Sequence, residues 1–325
     1  MHIDQDKQDK IVLKIASGNE KGNAVWFMRQ AGRYLPEYSR IRGDRKFLDM
    51  MKDYRTIVEV TKLPLNYFDT DALVIFSDIL IPATRIGYSL SYEGGIVVNK
   101  KDDYFDYYDP LTKAIKEIAL LYSKKTIIGI TPGPFTFLSY LYDNGEKGYP
   151  STKKAIVEKK QNIDDVIEEL VNFSKVQAQS GVDLIQIFES WIGNVSNNFY
   201  EKYLKEIEFE YMMRLKELKK PLIFFSEGSS HLFKEICSLE ADVYSIDWRT
   251  DFYYLREFCD ECIVQGNLDP NLLSLDERYI GAEINRIMMD GSKMKGHIFN
   301  LGHGVPVWAK PEKLDFIVKK VKEFE

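Results

Sequence analysis

The chain has 325 residues and a formal net charge of −6, and 45% of its residues are hydrophobic. The negative charge disfavours a general nucleic-acid-binding protein, because phosphate binding requires a net basic face. No apolar run reaches the roughly 18 residues that a membrane-spanning helix needs, and the charged N-terminus lacks the apolar core of a signal peptide. The composition is that of a globular protein with a large core.

Cysteine usage indicates a reducing compartment. The cysteines Cys237, Cys259 and Cys262 are few and odd in number, so a disulfide framework is not expected. We therefore expect a cytoplasmic protein. Cys259 and Cys262 form a CxxC motif, but no second CxxC motif or histidine cluster stands near it in the sequence. This favours a structural role for the pair over a metal-binding or redox role.

The first distinctive segment, residues 24–38, reads AVWFMRQAGRYLPEY. Arg29 and Arg33 are four residues apart, which places both guanidinium groups on one side of a helix or turn. Gly32 lets the backbone come close to a ligand, and Pro36 ends or redirects the element. The segment is suited to binding several carboxylates or phosphates. A solvated basic turn would have the same spacing.

Short apolar, β-branched runs alternate with longer amphipathic stretches along the rest of the chain. Strands are predicted at residues 72–76, 126–130, 183–188, 222–225, 243–246, 263–265 and 297–301. Helices are predicted at residues 152–179, 198–218, 230–239, 251–259, 275–289 and 311–324. This alternation indicates a parallel sheet with helical crossovers.

Seven strands, with one more that the pattern does not reveal, favour a closed barrel. The prediction is an α/β protein with one domain over residues 1–325, a (β/α)8 TIM barrel; a doubly wound open sheet has the same periodicity. Residues 89–100 interrupt the alternation and are predicted to form a small inserted hairpin. Its turn is expected at Glu93, Gly94 and Gly95.

Polar residues follow three of the predicted strands within one or two positions. Asp78, Ser190 and His303 would therefore meet at one rim of a barrel, where catalytic residues gather. Tyr140 lies beyond another strand, after a Pro-Gly-Pro turn. Other roles are open at this point, because Asp78 and Ser190 could cap helices and Tyr140 could be a core residue. His303, between two glycines, is better explained by a tight loop that presents its ring.

Residues 24–38 closely resemble the N-terminal signature of the uroporphyrinogen decarboxylase family, whose members act in haem and tetrapyrrole synthesis. Further resemblances follow in the family's order at residues 75–80, 133–140, 186–193, 247–251, 266–270 and 299–304, so they span nearly the whole chain. Small departures occur before Trp26 and after Gly304. Neither departure falls on a position expected to bind a ligand.

The resemblance implies a fold, a reaction and an assembly. The expected fold is a distorted (β/α)8 barrel, and the expected assembly is a homodimer. The expected reaction converts the four acetate side chains of uroporphyrinogen III to methyl groups, which gives coproporphyrinogen III and CO2. No cofactor and no metal are expected, because a protonated pyrrole of the substrate can accept the electrons that a cofactor holds in most decarboxylases.

The resemblance also assigns roles to residues. Asp78, Arg29 and Arg33 are the expected catalytic residues, with Asp78 stabilising a cationic ring. The expected substrate-binding residues are Arg29, Gln30, Ala31, Gly32, Arg33, Asp78, Tyr140, Phe188, Ser190 and His303. The general acid stays unassigned, since an arginine pKa is far above neutral and the pKa of histidine is better matched.

Two other functions are compatible with the same scaffold. Cobamide-dependent methyltransferases of the same superfamily bind zinc through histidine and cysteine, whereas the matching strand ends here read FSEG at residues 225–228 and GHG at residues 302–304. A non-catalytic tetrapyrrole carrier on the same scaffold would be expected to lose Asp78 or the arginines, and all of them are present.

Overall fold

The computed structural model describes residues 10–92, 96–100, 105–146, 148–158 and 162–324. The strands in these ranges are β1 (Ala24–Val25), β2 (Ala72–Val74), β3 (Tyr88–Ser91), β4 (Val97–Lys100), β5 (Thr126–Pro132), β6 (Leu184–Glu189), β7 (Leu222–Ser226), β8 (Val243–Ile246), β9 (Ile263–Leu268) and β10 (Gly296–Leu301). Eight parallel strands form one sheet in the order β1-β10-β9-β8-β7-β6-β5-β2, and β3 pairs antiparallel with β4.

The predicted fold class is confirmed, since the sheet curves into a nearly closed (β/α)8 barrel. All seven predicted strands are present, and the eighth is β1. Only two residues of β1 pair with β10. So short a strand shows no periodicity of its own, which is why the pattern did not reveal it.

Side chains connect β1 to β2, where the sheet order ends. The Asp71 N–H donates to the Val25 carbonyl at 2.9 Å, and the Val25 N–H donates to Asp71 Oδ2 at 2.9 Å. Gln30 is fully buried at the same place, and its Nε2 donates to the Ala72 carbonyl at 3.0 Å. These bonds satisfy backbone groups that would otherwise be buried without partners.

Helices cover the outside of the barrel. Several start at a proline, which suits the first helical position because its missing N–H is not needed there. The described α-helices are Ile11–Ala16, Pro36–Arg42, Phe47–Met51, Tyr54–Lys62, Tyr108–Leu121, Pro134–Asp143, Pro150–Val157, Asn162–Ser180, Asn197–Phe199, Lys205–Lys216, Phe233–Cys237, Phe252–Arg256, Glu277–Gly291 and Pro311–Lys322. None of the helices in these ranges is long and apolar enough to cross a membrane.

Two predicted elements differ in detail. The single helix predicted at 152–179 is two helices, Pro150–Val157 and Asn162–Ser180. The helix predicted at 198–218 contains a π-helical turn at Tyr200–Leu204. The hairpin strands at 89–100 are present as β3 and β4, with Leu90 opposite Val98. Its predicted turn at Glu93, Gly94 and Gly95 lies outside the described residues.

The core has two layers. The larger one lies between the sheet and the helices, and the smaller one fills the barrel with side chains such as Trp26, Ile128 and Phe225. Both faces of the strands are therefore buried, as in other parallel sheets. A polar bridge crosses the barrel interior, where Gln265 accepts from Trp26 Nε1 at 2.9 Å and donates to Gln186 Oε1 at 3.0 Å. These side chains fill the barrel interior below the rim.

Candidate active site

A cavity of about 1190 Å³ opens at the carboxyl ends of the barrel strands. It exceeds the roughly 300–1,000 Å³ of ordinary small-molecule pockets. Nine of the ten residues predicted for a binding site line it, namely Arg29, Ala31, Gly32, Arg33, Asp78, Tyr140, Phe188, Ser190 and His303. The tenth, Gln30, does not line it, because its side chain is buried where β1 meets β2.

The two arginines reach the cavity from a tight turn directly after β1. The Gln30 N–H donates to the Phe27 carbonyl at 3.1 Å, and Arg29 takes a left-handed conformation with φ of 58°. Tyr34 fixes the turn through a bond from its hydroxyl to the Gln30 carbonyl at 2.6 Å. Left-handed backbone is costly for a residue with a Cβ, and such conformations cluster at functional sites.

Arg29 and Arg33 present open guanidinium groups. Both side chains are exposed, and within the described part of the chain neither guanidinium makes a hydrogen bond or an ion pair. Each planar fork is therefore available to bind a carboxylate in a bidentate manner.

Asp78 stands in the same cavity, between β2 and the inserted hairpin. It accepts a hydrogen bond from the Leu80 N–H at 2.7 Å. The next helix begins at Ile81 with Leu80 as its N-cap and without a side-chain cap, so Asp78 does not cap a helix. Burial raises the pKa of Asp78, while the Leu80 N–H, the Tyr92 hydroxyl and the positive charge of Arg29 oppose that rise. The carboxylate is thus poorly solvated, and a cationic group placed beside it would be strongly stabilised.

His303 follows β10 and lines the same cavity. Its Nε2 is 3.6 Å from Glu227 Oε2, and its ring meets the Phe225 ring edge-on at 6.1 Å. Burial, and then the charge of Arg29, lower the pKa of His303, while Glu227 opposes this. The ring is consequently neutral at neutral pH, and it acts as a hydrogen-bonding group and not as a cation.

Aromatic side chains form the remaining wall. Phe188, at the end of β6, packs edge-on against Phe225 at 5.8 Å between centroids. Tyr140 comes from the helix Pro134–Asp143 and lies 6.2 Å from the Trp191 ring. Burial and then the neighbouring Asp78 raise the pKa of Tyr140, so its hydroxyl stays protonated and can donate a hydrogen bond.

The sequence prediction missed part of this site. Arg45, Lys46 and Lys52 also line the cavity, and with Arg42 they outnumber the carboxylates Asp44 and Asp49 there. Their signal in the sequence is only a charged stretch between short helices, which is typical of any solvated surface. The same cavity is therefore basic at its edge in a chain whose net charge is negative.

Metal-binding groups are not part of this geometry. Across the described residues, no group of three or more His, Cys, Asp or Glu side chains is arranged to hold a metal ion.

Comparison with known protein families gives one full-length match. The model of the family described as uroporphyrinogen decarboxylase (URO-D) matches residues 7–324. A uroporphyrinogen decarboxylase from Rickettsia massiliae (strain Mtu5) is 31% identical, with 97% of each chain covered. One from Staphylococcus aureus (strain JH9) is 32% identical over 98% of this chain and 97% of its own.

Solved structures give the same architecture at low sequence identity. A methyltransferase from Methanosarcina mazei superposes with a TM-score of 0.78 at 14% identity and covers 96% of this chain and 97% of its own. A putative vitamin-B12-independent methionine synthase from Listeria monocytogenes has a TM-score of 0.55 at 10% identity, covering 94% and 96%. At such identities the likeness establishes the barrel and nothing about the reaction.

Proposed function

Since the chain belongs to the uroporphyrinogen decarboxylase family, we propose that it is a carboxy-lyase that removes the acetate carboxyl groups of uroporphyrinogen III in porphyrin and haem biosynthesis. All four acetates become methyl groups, and the products are coproporphyrinogen III and CO2. The substrate-binding residues are the nine predicted ones that line the cavity. Gln30 is fully buried and supports the turn that carries the two arginines.

The observation that carries this proposal is the distribution of charge in the cavity. Arg29 and Arg33 have open guanidinium groups, and Asp78 is a poorly solvated carboxylate in the same space. A ligand that carries carboxylates on its periphery and N–H groups at its centre matches both features. The cavity volume of about 1190 Å³ suits a macrocycle better than a small acid.

The reaction proceeds through the substrate's own ring. A proton adds to the pyrrole carbon next to the one that bears the acetate, which makes the ring cationic. The bond to the carboxyl carbon then breaks, CO2 leaves, and the electron pair forms an exocyclic double bond that neutralises the ring. A second proton completes the methyl group, and loss of the first restores the pyrrole.

Asp78 acts on the charge that develops in this sequence. Its carboxylate accepts hydrogen bonds from the pyrrole N–H groups and stabilises the cationic ring. The guanidinium groups of Arg29 and Arg33 bind substrate carboxylates, and neutral His303 donates an N–H to another. The hydroxyls of Tyr140 and Ser190 add donors, and Phe188 packs against the macrocycle.

The direct test is incubation of the purified protein with uroporphyrinogen III under anaerobic conditions, without added metal or cofactor. Loss of carboxyl groups is followed by chromatography of the oxidised products. Coproporphyrin is the expected product. A folded protein that binds the substrate without turnover would contradict the proposal and favour a tetrapyrrole carrier.

Replacing Gly304 by alanine tests whether Arg29 binds the substrate. A Cβ at this position would lie 2.4 Å from Cδ of Arg29 and 2.8 Å from its Cγ. The obstacle is a flexible, exposed side chain, so we expect an unchanged melting temperature. The displaced guanidinium should raise KM about tenfold, which corresponds to the loss of roughly one charge-assisted hydrogen bond. Substrate titrations of native and variant protein measure this, and an unaltered KM would exclude a binding role for Arg29 in this position.

Assembly and compartment belong to the same proposal. The chain acts as one domain and as a homodimer in the cytoplasm, as the resemblance implies. Sedimentation analysis at micromolar concentration should give twice the chain mass of 37.9 kDa.

A further inference from the structure

Two fully buried glutamates lie side by side at the end of β6. Glu189 is the last residue of β6, and Glu208 belongs to the helix Lys205–Lys216. Glu189 accepts hydrogen bonds from the Phe135 N–H at 3.1 Å, the Thr136 N–H at 2.7 Å and the Thr136 hydroxyl at 2.5 Å. Burial raises the pKa of Glu189 to about 7, while these donors oppose that rise, so Glu189 is the member of the pair that ionises first.

Glu208 has the opposite environment. Neither of its carboxyl oxygens has a hydrogen-bond partner in the described ranges. The groups it faces are the Glu189 carboxyl and the Phe135 N–H, which already donates to Glu189. Two buried carboxyl groups in contact cannot both ionise. Burial and then the charge of Glu189 raise the pKa of Glu208. Glu208 is therefore the neutral acid, and its O–H donates to Glu189.

The other titratable groups around the pair neither supply this proton nor neutralise the charge of Glu189. The hydroxyls of Tyr200 and Tyr211 face both carboxyl groups, and burial raises the pKa of each tyrosine. Glu235 faces Tyr200 from the neighbouring helix and is ion-paired with Lys205 at 3.3 Å. The carboxyl groups of Glu189 and Glu208 therefore share one proton.

Short contacts connect this pair to the cavity. Phe135 and Thr136 form the first turn of the helix Pro134–Asp143, which carries Tyr140. The Thr136 hydroxyl also accepts a hydrogen bond from the backbone N–H of Trp191 at 3.0 Å, and Trp191 directly follows Ser190. A Cβ on Gly133 would lie 1.9 Å from Glu189 Oε2, so the carboxyl packs directly on the backbone that begins this helix. Glu189 thus fixes both segments that bring hydroxyl donors to the cavity.

We propose that Glu189 and Glu208 are positioning residues for the decarboxylation, a one-proton acid pair that holds Tyr140 and Ser190 against the substrate. This inference rests on the proposed function. Deprotonation of Glu208 would leave two buried anions in contact and would displace the first turn of the helix. The positioning is complete while the pair keeps its proton and is lost as the pH rises through the raised pKa of Glu208.

The test compares the pH profiles of kcat/KM for native protein and Glu208→Gln. The glutamine amide still donates to Glu189 but cannot ionise. We expect near-native activity at neutral pH and an alkaline limit that is higher by about one pH unit. In Glu189→Gln the amide NH2 must face one backbone donor, either the Phe135 N–H or the Thr136 N–H, so this variant should lower kcat about tenfold at every pH. Glu235→Gln is the matched buried control and should keep the native alkaline limit.

An identical alkaline limit for folded native and Glu208→Gln proteins would overturn the inference. If Glu208→Gln does not fold, infrared spectra of the native protein decide the question, since the band of a protonated carboxyl should be present at neutral pH and vanish at the alkaline limit. Absence of that band at neutral pH contradicts the shared proton. Failure of the proposed function would look different, because the native protein would then have no activity at any pH.

Discussion

Asp78→Asn is expected to lower kcat by about 10²–10³-fold, the effect of removing one preorganised electrostatic contact in an enclosed site. Asparagine has the same size and keeps an oxygen for the Leu80 N–H, which donates to the native carboxylate at 2.7 Å. It lacks the negative charge that stabilises the cationic ring. The pyrrole ring is uncharged before it is protonated, and the asparagine oxygen can still accept from its N–H, so the loss should be in kcat more than in KM.

The same substitution should not harm the fold. The raised pKa of Asp78 means that burial disfavours its charged form, so the native protein carries an unfavourable charge at neutral pH. We therefore expect an equal or higher melting temperature for Asp78→Asn. Asp44→Asn is the matched control, because Asp44 lines the same cavity from its exposed edge. Comparable losses of kcat in both variants would contradict a specific role for Asp78.

Gly193→Ala is expected to destabilise the protein by about 3 kcal/mol, at the upper end of typical overpacking. A Cβ on Gly193 would lie 2.3 Å from the Glu227 carbonyl oxygen and 2.7 Å from both the carbonyl carbon and oxygen of Gly228. These are backbone atoms, so rotation of a side chain cannot relieve the overlap. The segments after β6 and β7 would have to move apart.

Thermal unfolding measures this effect, and we expect the melting temperature to fall by roughly 4–5 °C for a chain of 325 residues. Activity at low temperature should fall as well, because Glu227 lies beside His303 at 3.6 Å. Gly281→Ala is the matched control, since its Cβ would meet only Phe316 Cζ at 3.6 Å, within the helix Glu277–Gly291. That variant should gain about 0.5–1 kcal/mol from helix propensity. Equal melting temperatures for the two variants would exclude backbone crowding at Gly193.

The positions of the cavity residues followed from local sequence to a large extent. A run of buried β-branched residues marks a parallel strand, and the residue after it must emerge at the carboxyl end of the sheet. Asp78, Ser190 and His303 were placed at one rim by this reasoning alone, and all three line the cavity. The arginines were recognised by composition and spacing, although their segment is a turn and not a helix.

Other features depend on contacts that no local pattern contains. The short strand β1 exists because β10 and Asp71 supply its partners, and its own two residues would not indicate a strand. The neutral state of His303 results from burial and from Arg29, which is distant in sequence. The role of Glu189 depends on Glu208, which follows on a later helix and which no local pattern pairs with it.

The sequence by itself determined the alternation of strands and helices, the strand ends that carry polar groups and the family resemblance, because each of these is a pattern of neighbouring residues. Tertiary structure decided the closure of the barrel at Gln30, the basic edge of the cavity and the proton shared by Glu189 and Glu208. The physical reason is that burial, pKa and hydrogen bonding depend on which distant groups share a space, and only packing brings those groups together.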